Sequence, residues 1–236
     1  MPKTLISIVN ARPREAWRNA QRSTWIPQVP ASKADVYFFV GHGDPIKDPD
    51  RVVQLDCSDH YEHLPEKIRA ITRWADARGY EYMLKIDDDV VVRPSELLAS
   101  GYDQRPYTGR SNRPESPYAI PMGFCYWLDR QCMKIISSAE LPGDGSNDDE
   151  KWCAYNLSTH GIFLYDDRRY FLHQQRFLVQ QTTPRPLRAP KRPVPDTSMW
   201  GPQQFPGTFA WCVHIAGELE DKIGEYHKLF EKHGEK

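Results

Sequence analysis

The sequence predicts an α/β fold, a sheet flanked by helices and built as a single domain of 236 residues. Three observations carry that expectation. Over residues 1–93, short β-branched and aromatic runs alternate with stretches whose apolar residues recur every three or four positions, the pattern of a parallel sheet with helices on its faces. With 39% apolar and 12% aromatic residues the chain can fill a substantial core, and disorder is excluded. Finally, three consecutive carboxylates, Asp87-Asp88-Asp89, directly follow an apolar run, at the kind of strand end where such sheets bind ligands.

The elements follow in order. Residues 3–9 read as a first strand, bounded by the loop Asn10-Ala11-Arg12-Pro13. Residues 14–25 read as a helix closed by Pro27, and residues 34–40 as a second strand ended by Gly41. Residues 52–55 form a third strand. Leu64, Ile68, Ile71 and Ala75 mark a longer helix that stops at Gly79. Residues 82–86 are a buried strand running into the acidic triplet. Val90-Val91-Val92 continues it, and Pro94 opens another helix.

The second half is less regular. Residues 118–128 are strand-like with a small-residue break, and Asp129 caps a helix to Ala139. Residues 150–160 form a helix stopped by Gly161, and residues 162–165 a strand. Residues 184–206 hold seven of the 20 prolines and must be a loop. A last strand at 209–215 and an amphipathic helix through Leu219, Ile223, Tyr226 and Phe230 close the chain.

Charge is balanced, with 31 lysines and arginines against 32 acids, so the chain as a whole carries no nucleic-acid signature. No apolar run approaches the length of a membrane span, and the N-terminus lacks the features of a signal peptide. Five cysteines, an odd number without a CxxC pair, point to reduced, buried thiols and a cytoplasmic protein.

Three adjacent carboxylates at the end of an apolar strand repel one another in a desolvated setting. A divalent cation relieves that cost, and Mn²⁺ or Mg²⁺ suits carboxylate and phosphate oxygens. In sugar transfer from a nucleotide sugar, a metal on the diphosphate neutralises charge developing on the leaving group. The competing readings are a solvated acidic loop and nucleotidyl transfer. An EF-hand is excluded by ligand spacing and by the missing glycine.

The residues also carry a family resemblance. Lys85 to Val92, KIDDDVVV, resembles the K-x-D-D-D-V-x-V signature of the β-1,3-galactosyltransferase and fringe-like glycosyltransferases. Arg18 to Trp25 is similar to that family's R-x-x-x-R-x-T-W helix, and Tyr61 to Lys67 to its Y-x-N-L-T-x-K element, with His63 and Pro65 in place of Asn and Thr. Pro121 to Leu128 takes the place of its glycine-rich acceptor-side strand. Asp148-Asp149-Glu150 takes that of its E-D-V motif, Glu150 standing for valine. The likeness runs over residues 4–170.

The resemblance implies a GT-A fold, a Rossmann-like mixed sheet whose first 93 residues bind the nucleotide sugar and whose residues 94–236 form the acceptor side. It implies a UDP-sugar donor, Mn²⁺ or Mg²⁺, and inverting transfer. Asp89 would be the principal metal ligand, Asp87 would lie nearer metal or ribose, and Asp88 would serve either role. His214 would be a third ligand or a structural histidine. Arg18 and Arg22 would meet the diphosphate or uridine, unless they are plain helix cations, with Asn10, Ala11, Lys67 and Lys85 as further donor-side candidates. Asp149 is the first choice of general base, with Asp148 and Glu150 as rivals and helix capping as the alternative role. Met122, Gly123 and Trp200 are acceptor-side candidates.

Acceptor identity stays open between a glycan, a protein and a hydroxylated nucleic-acid base. The last reading rests on Arg176, Arg185, Arg188, Lys191 and Arg192, a basic run without an acid. A non-catalytic sugar- or nucleotide-binding module is the alternative outside enzymes.

Overall fold

The structure, a computed structural model, describes residues 3–47, 49–111, 118–143, 147–167, 169–173 and 210–213, with residues 171–173 and 210–213 as backbone alone. The proline-rich loop, the terminal helix, Trp200 and His214 lie outside the described residues.

The elements are β1 (Thr4–Val9), α1 (Glu15–Ser23), β2 (Ala34–Val40), β3 (Val52–Gln54), α2 (Leu64–Ala77), β4 (Tyr82–Asp87), β5 (Val90–Val92), α3 (Pro94–Leu98), β6 (Tyr107–Ser111), β7 (Pro121–Asp129), α4 (Arg130–Ser138), α5 (Asp149–Ser158), β8 (Tyr165–Asp166), β9 (Tyr170–His173) and β10 (Ala210–Val213). Among the described residues the main sheet has seven strands in the order β3-β2-β1-β4-β7-β6-β8. Its first four strands are parallel, and β7 runs antiparallel between β4 and β6. The mixed α/β sheet therefore agrees with the expected architecture.

Alternation along β4 explains its two faces. Leu84 and Ile86 join a core with Trp25, Phe38, Val90, Val91, Val92 and Trp127 on one side of the sheet. Met83 joins Leu5, Tyr126 and Leu128 under α2, α4 and α5, whose Ile68, Ile71, Ile136, Cys153 and Leu157 cover the other side. Lys85 shares the parity of Met83 and is 1% exposed, so an ammonium stands where the strand pattern asks for an apolar side chain.

The helix ends are chemically specified. Gly79 at φ +74° and Gly161 at φ +73° each close a helix with a paired bond set: Gly79 N–H to the Asp76 carbonyl with Tyr80 N–H to Ala75, and Gly161 N–H to Ser158 with Ile162 N–H to Leu157. The Asp129 carboxylate caps α4 by accepting the Cys132 N–H at 2.8 Å. The expected helix over 14–25 is shorter at both ends. Ser23 and Thr24 bond back to the Ala20 carbonyl, and Ile26–Gln28 is a separate 3₁₀ turn containing Pro27.

Three further differences from expectation have physical causes. Val90–Val92 does not continue β4: the chain turns at Asp88-Asp89, and β5 pairs antiparallel with β10 in a second sheet, β5-β10-β9. Residues 162–164 alternate inward and outward, with Ile162 and Leu164 buried and Phe163 exposed, yet among the described residues they have no ladder partner, and the strand is only Tyr165–Asp166. Strand β6, sequence YTGRS, has too little apolar periodicity to announce itself; its place is set by pairing with β7.

Candidate functional site

The carboxyl ends of β1 and β4, the start of β7 and the first turn of α5 converge on the acidic triplet. In register, Val9 lies beside Asp87, and Ile86 beside Cys125, so Asn10, Asp87 and Gly123 stand at one edge of the sheet.

The three triplet carboxylates have different surroundings. Asp88 is 2% exposed and both its oxygens are engaged: Oδ1 accepts from Arg14 Nη1 at 2.5 Å and Oδ2 from Asn10 Nδ2 at 2.7 Å. Gln21 Nε2 donates to its backbone carbonyl. Asp87 retains 31% side-chain exposure and pairs with Lys85 Nζ through Oδ1 at 2.7 Å. Asp89 is buried at 7% exposure. Burial, partly offset by Lys85, pushes the Asp87 carboxyl up to about 6, and burial, partly offset by Arg14, does the same for Asp88, with the neighbouring carboxylates adding to both shifts.

The donor-side candidates fall into a bracing layer. Arg18, 2% exposed, donates to Asn10 Oδ1 and to the Ala11 carbonyl, so three of the expected contacts hold one another. Lys67 donates to the Asn10 carbonyl and to Asp59 Oδ1. Arg22 is turned toward the Asp50 carbonyl and lies 5.3 Å from the centre of the Phe38 ring. Trp25 is fully buried core.

The first turn of α5 separates its three acids. Asp148 is the N-cap, accepting the Lys151 N–H at 2.9 Å. Asp149 is 2% exposed, with Oδ2 3.1 Å from the Tyr126 hydroxyl that donates to it and 3.7 Å from Lys85 Nζ. Glu150 is partly exposed, and its carboxylate lies over Gly123, where a Cβ would stand 3.0 Å away. Burial first, then the Asp149 charge, pushes the Glu150 carboxyl up to about 8 against the opposing pull of Lys85. Lys85 is itself shifted upward: burial opposes its charge, but the Asp149 and Asp87 carboxylates outweigh burial.

Several residues of this network were not singled out in the sequence. Arg14, Gln21, Asp59 and Tyr126 each hold a named candidate, and only strand register reveals the pairing of Tyr126 with Lys85. Tyr61, 66% exposed at the entry to α2, has a hydroxyl shifted upward by burial and by the charges of Glu150, Asp149, Asp87 and Asp148. Met122 is half-buried beside Gly123. Along α5 a groove of about 710 Å³ is lined by Tyr118, Leu141, Asp148, Trp152, Tyr155 and Asn156; it shares Asp148 with the acidic turn but includes neither Asp149 nor Glu150.

As a cation site the triplet supplies hard oxygen donors of the right chemistry. Both oxygens of Asp88 are engaged, and among the described residues no cluster of three His, Cys, Asp or Glu side chains is arranged to hold a metal. Two carboxylates fit a Mg²⁺-like ion that completes its shell with phosphate and water. His214 lies outside the described residues; β10, the strand preceding it, pairs Cys212 with Val90, one residue beyond Asp89. Among the described cysteines Cys57, Cys125, Cys132 and Cys153 are free and buried, and no described helix is long and apolar enough to cross a membrane.

Comparison with known proteins adds independent evidence. The sequence pattern of the Galactosyltransferase family matches residues 16–113, from α1 through the triplet to β6. No curated protein sequence matches the chain. A glycosyltransferase involved in glycosylation of the major capsid of PBCV-1 superposes with a TM-score of 0.52 over 97% of this chain and 99% of its own, at 12% identity. A protein of Desulfovibrio desulfuricans G20 described as a nucleotide-diphospho-sugar transferase aligns with a TM-score of 0.47, 12% identity, 71% of this chain and 80% of its own. Residues 16–113 thus resemble the Galactosyltransferase family across the triplet, and the chain shares its α/β fold with a glycosyltransferase.

Proposed function

We propose that the chain transfers a hexose from a UDP-sugar to an acceptor hydroxyl with inversion, and that Glu150 is the general base. The observation that carries this reading is that Lys85 joins the triplet at the end of β4 to Asp149 in α5, whose next residue, Glu150, lies with its carboxylate over Gly123. Asp87 and Asp89 would hold a divalent cation, which neutralises charge on the departing UDP when bound.

The assignment moves from Asp149 to Glu150 on grounds of access and charge. Asp149 is buried under Lys85 and Tyr126, with little surface left for an acceptor hydroxyl to reach. Asp148 caps its helix. Glu150 is partly exposed and its carboxyl sits near neutrality, which suits a base that must take the acceptor proton as the hydroxyl attacks the anomeric carbon. Asn10, Arg18 and Lys67 would act mainly by fixing the loop after β1 against which the donor rests. Acceptor contacts would come from Met122 and Gly123, with Trp200 as a further candidate. The nucleic-acid reading of the acceptor depends on the basic run at 176–192, outside the described residues.

The test begins with thermal shift of the full chain by UDP, GDP, CDP, TDP and ADP, each with and without Mn²⁺. A UDP shift that requires Mn²⁺ supports the donor half; a misread triplet would give none, and a non-catalytic nucleotide-binding module would give a shift without release of UDP from UDP-galactose. Glu150→Gln should then bind UDP as the wild type does and lose release of UDP from UDP-galactose. Retained release in Glu150→Gln, with loss in a folded Asp149→Asn, would return the role of base to Asp149.

A further inference from the structure

We infer that Lys85 is a positioning residue that fixes the attacking geometry by clamping the first turn of α5 and the start of β7 to the end of β4. This rests on the functional reading above, with Glu150 as base. Lys85 Nζ reaches three acceptors on three elements: Asp87 Oδ1 at 2.7 Å after β4, the Gly123 carbonyl in β7, and Asp149 Oδ2 at 3.7 Å in α5. The first two are hydrogen bonds, and the third is an ion pair in which the ammonium charge faces the Asp149 carboxylate. The Tyr126 hydroxyl closes the set by donating to the same Asp149 oxygen, while its ring centre lies 5.5 Å from Nζ.

The clamp surrounds Glu150. The residue before it, Asp149, is one partner of Lys85, and Gly123, against which the Glu150 carboxylate rests, is another. Two of the groups that define where that carboxylate stands are therefore held by one side chain. Lys85 is 1% exposed and its charge is held between the Asp87 and Asp149 carboxylates, so in this reading it frames the site rather than touching the donor, for which the sequence made it a candidate. The residue type fits the task. A compact ammonium serves three divergent acceptors, whereas the planar guanidinium of arginine favours coplanar pairs. Burying a lysine at an inward strand position costs desolvation, and the two carboxylates offset it only in this geometry.

The experiment compares wild type, Lys85→Met and the double variant Lys85→Met/Asp149→Asn, in the full chain. The double variant removes both charges together and so keeps a folded protein available if Lys85→Met unfolds. Probes are UDP with Mn²⁺ for binding by calorimetry and UDP-galactose with water as acceptor for turnover by UDP release. The expected result is UDP affinity within about threefold of wild type with unchanged KM and a fall in kcat of about 100-fold, since loss of alignment is read in kcat. Full turnover in the double variant would overturn the inference. So would loss of UDP binding in step with turnover, which would make Lys85 a donor ligand. A wild type that neither binds UDP nor releases it from UDP-galactose would overturn the functional reading and this inference with it.

Discussion

The Cβ that Gly123 lacks would stand 3.0 Å from both carboxylate oxygens of Glu150. The strand gives way to the helix at this point: a hydrogen atom on β7 leaves the space that the first turn of α5 fills. Gly123→Ala should push the Glu150 carboxylate away by a few tenths of an ångström. The fold should tolerate the change, at a cost of about 1 kcal/mol. UDP binding should be unaltered while UDP release from UDP-galactose falls about 10-fold or more, because small misplacements act on the chemical step. Calorimetry beside a turnover assay checks this, and equal turnover would remove the contact from the mechanism.

The Glu150 carboxyl also sets a pH expectation. In the folded chain it is held up to about 8, above the ordinary carboxylate range, so the fold binds its proton more tightly than the unfolded chain does. That contribution to stability is full below the ordinary value and is lost as pH rises through about 8. Turnover should run the other way, rising as Glu150 loses its proton, with a midpoint near 8 before donor and cation bind. Denaturant titrations at several pH values should show a smaller alkaline loss of stability in Glu150→Gln than in wild type. A wild-type pH–rate profile flat from 6 to 9 would count against Glu150 as the base.

Gly41 makes a purely steric prediction. A Cβ there would lie 2.5 Å from the Cys57 carbonyl and 2.8 Å from the Asp59 N, both backbone atoms that cannot swing aside. Its own N–H donates to Asp59 Oδ1 at 2.6 Å, so the end of β2 and the loop bearing Asp59 are pressed together. Gly41→Ala should destabilise by about 3 kcal/mol, the upper range for overpacking. Urea denaturation would measure it, and a loss below the error of that method would mean the loop relaxes freely.

Elements with a period were legible in the sequence. The alternation in β1, β2 and β4, the spacing of Ile68, Ile71 and Ala75, and the glycines at 79 and 161 each have a local cause that the structure repeats. The polar end of β4 was legible too, because carboxylates after an apolar run contradict burial unless something compensates. What sequence could not supply is pairing. β5 reads as a continuation of β4 until β10 takes it into another sheet, and β6 is a strand only because β7 lies beside it. The same limit applies within the site. Asp148, Asp149 and Glu150 are adjacent acids that the sequence could rank only by motif position, with Asp149 first. Helix phase makes the first a cap, buries the second under Lys85 and Tyr126, and leaves the third over Gly123.

Asp59 and Lys67 carry the last prediction. Lys67 Nζ bonds Asp59 Oδ1 and the Asn10 carbonyl, with side-chain exposures of 4% for Lys67 and 17% for Asp59. Asp59 Oδ2 also accepts the Arg12 N–H at 2.9 Å. Burial alone would raise the Asp59 carboxyl, but the Lys67 hydrogen bond and charge and the Arg12 and Gly41 N–H groups outweigh it, and the net shift is downward. Asp59 therefore contributes stability above the ordinary carboxylate value, and that contribution is lost as pH falls through its lower folded value. Asp59→Asn should flatten the acid limb of a stability titration between about pH 5 and 2. Lys67→Met should cost about 3–5 kcal/mol, as removing one partner strands the other charge in a buried place. Because both Lys67 bonds end within the protein, UDP with Mn²⁺ should raise the melting temperature of Lys67→Met by as much as it raises that of wild type. A smaller ligand shift in a folded Lys67→Met would show that the ammonium reaches the donor after all, and would return Lys67 from the frame of the site to its binding surface.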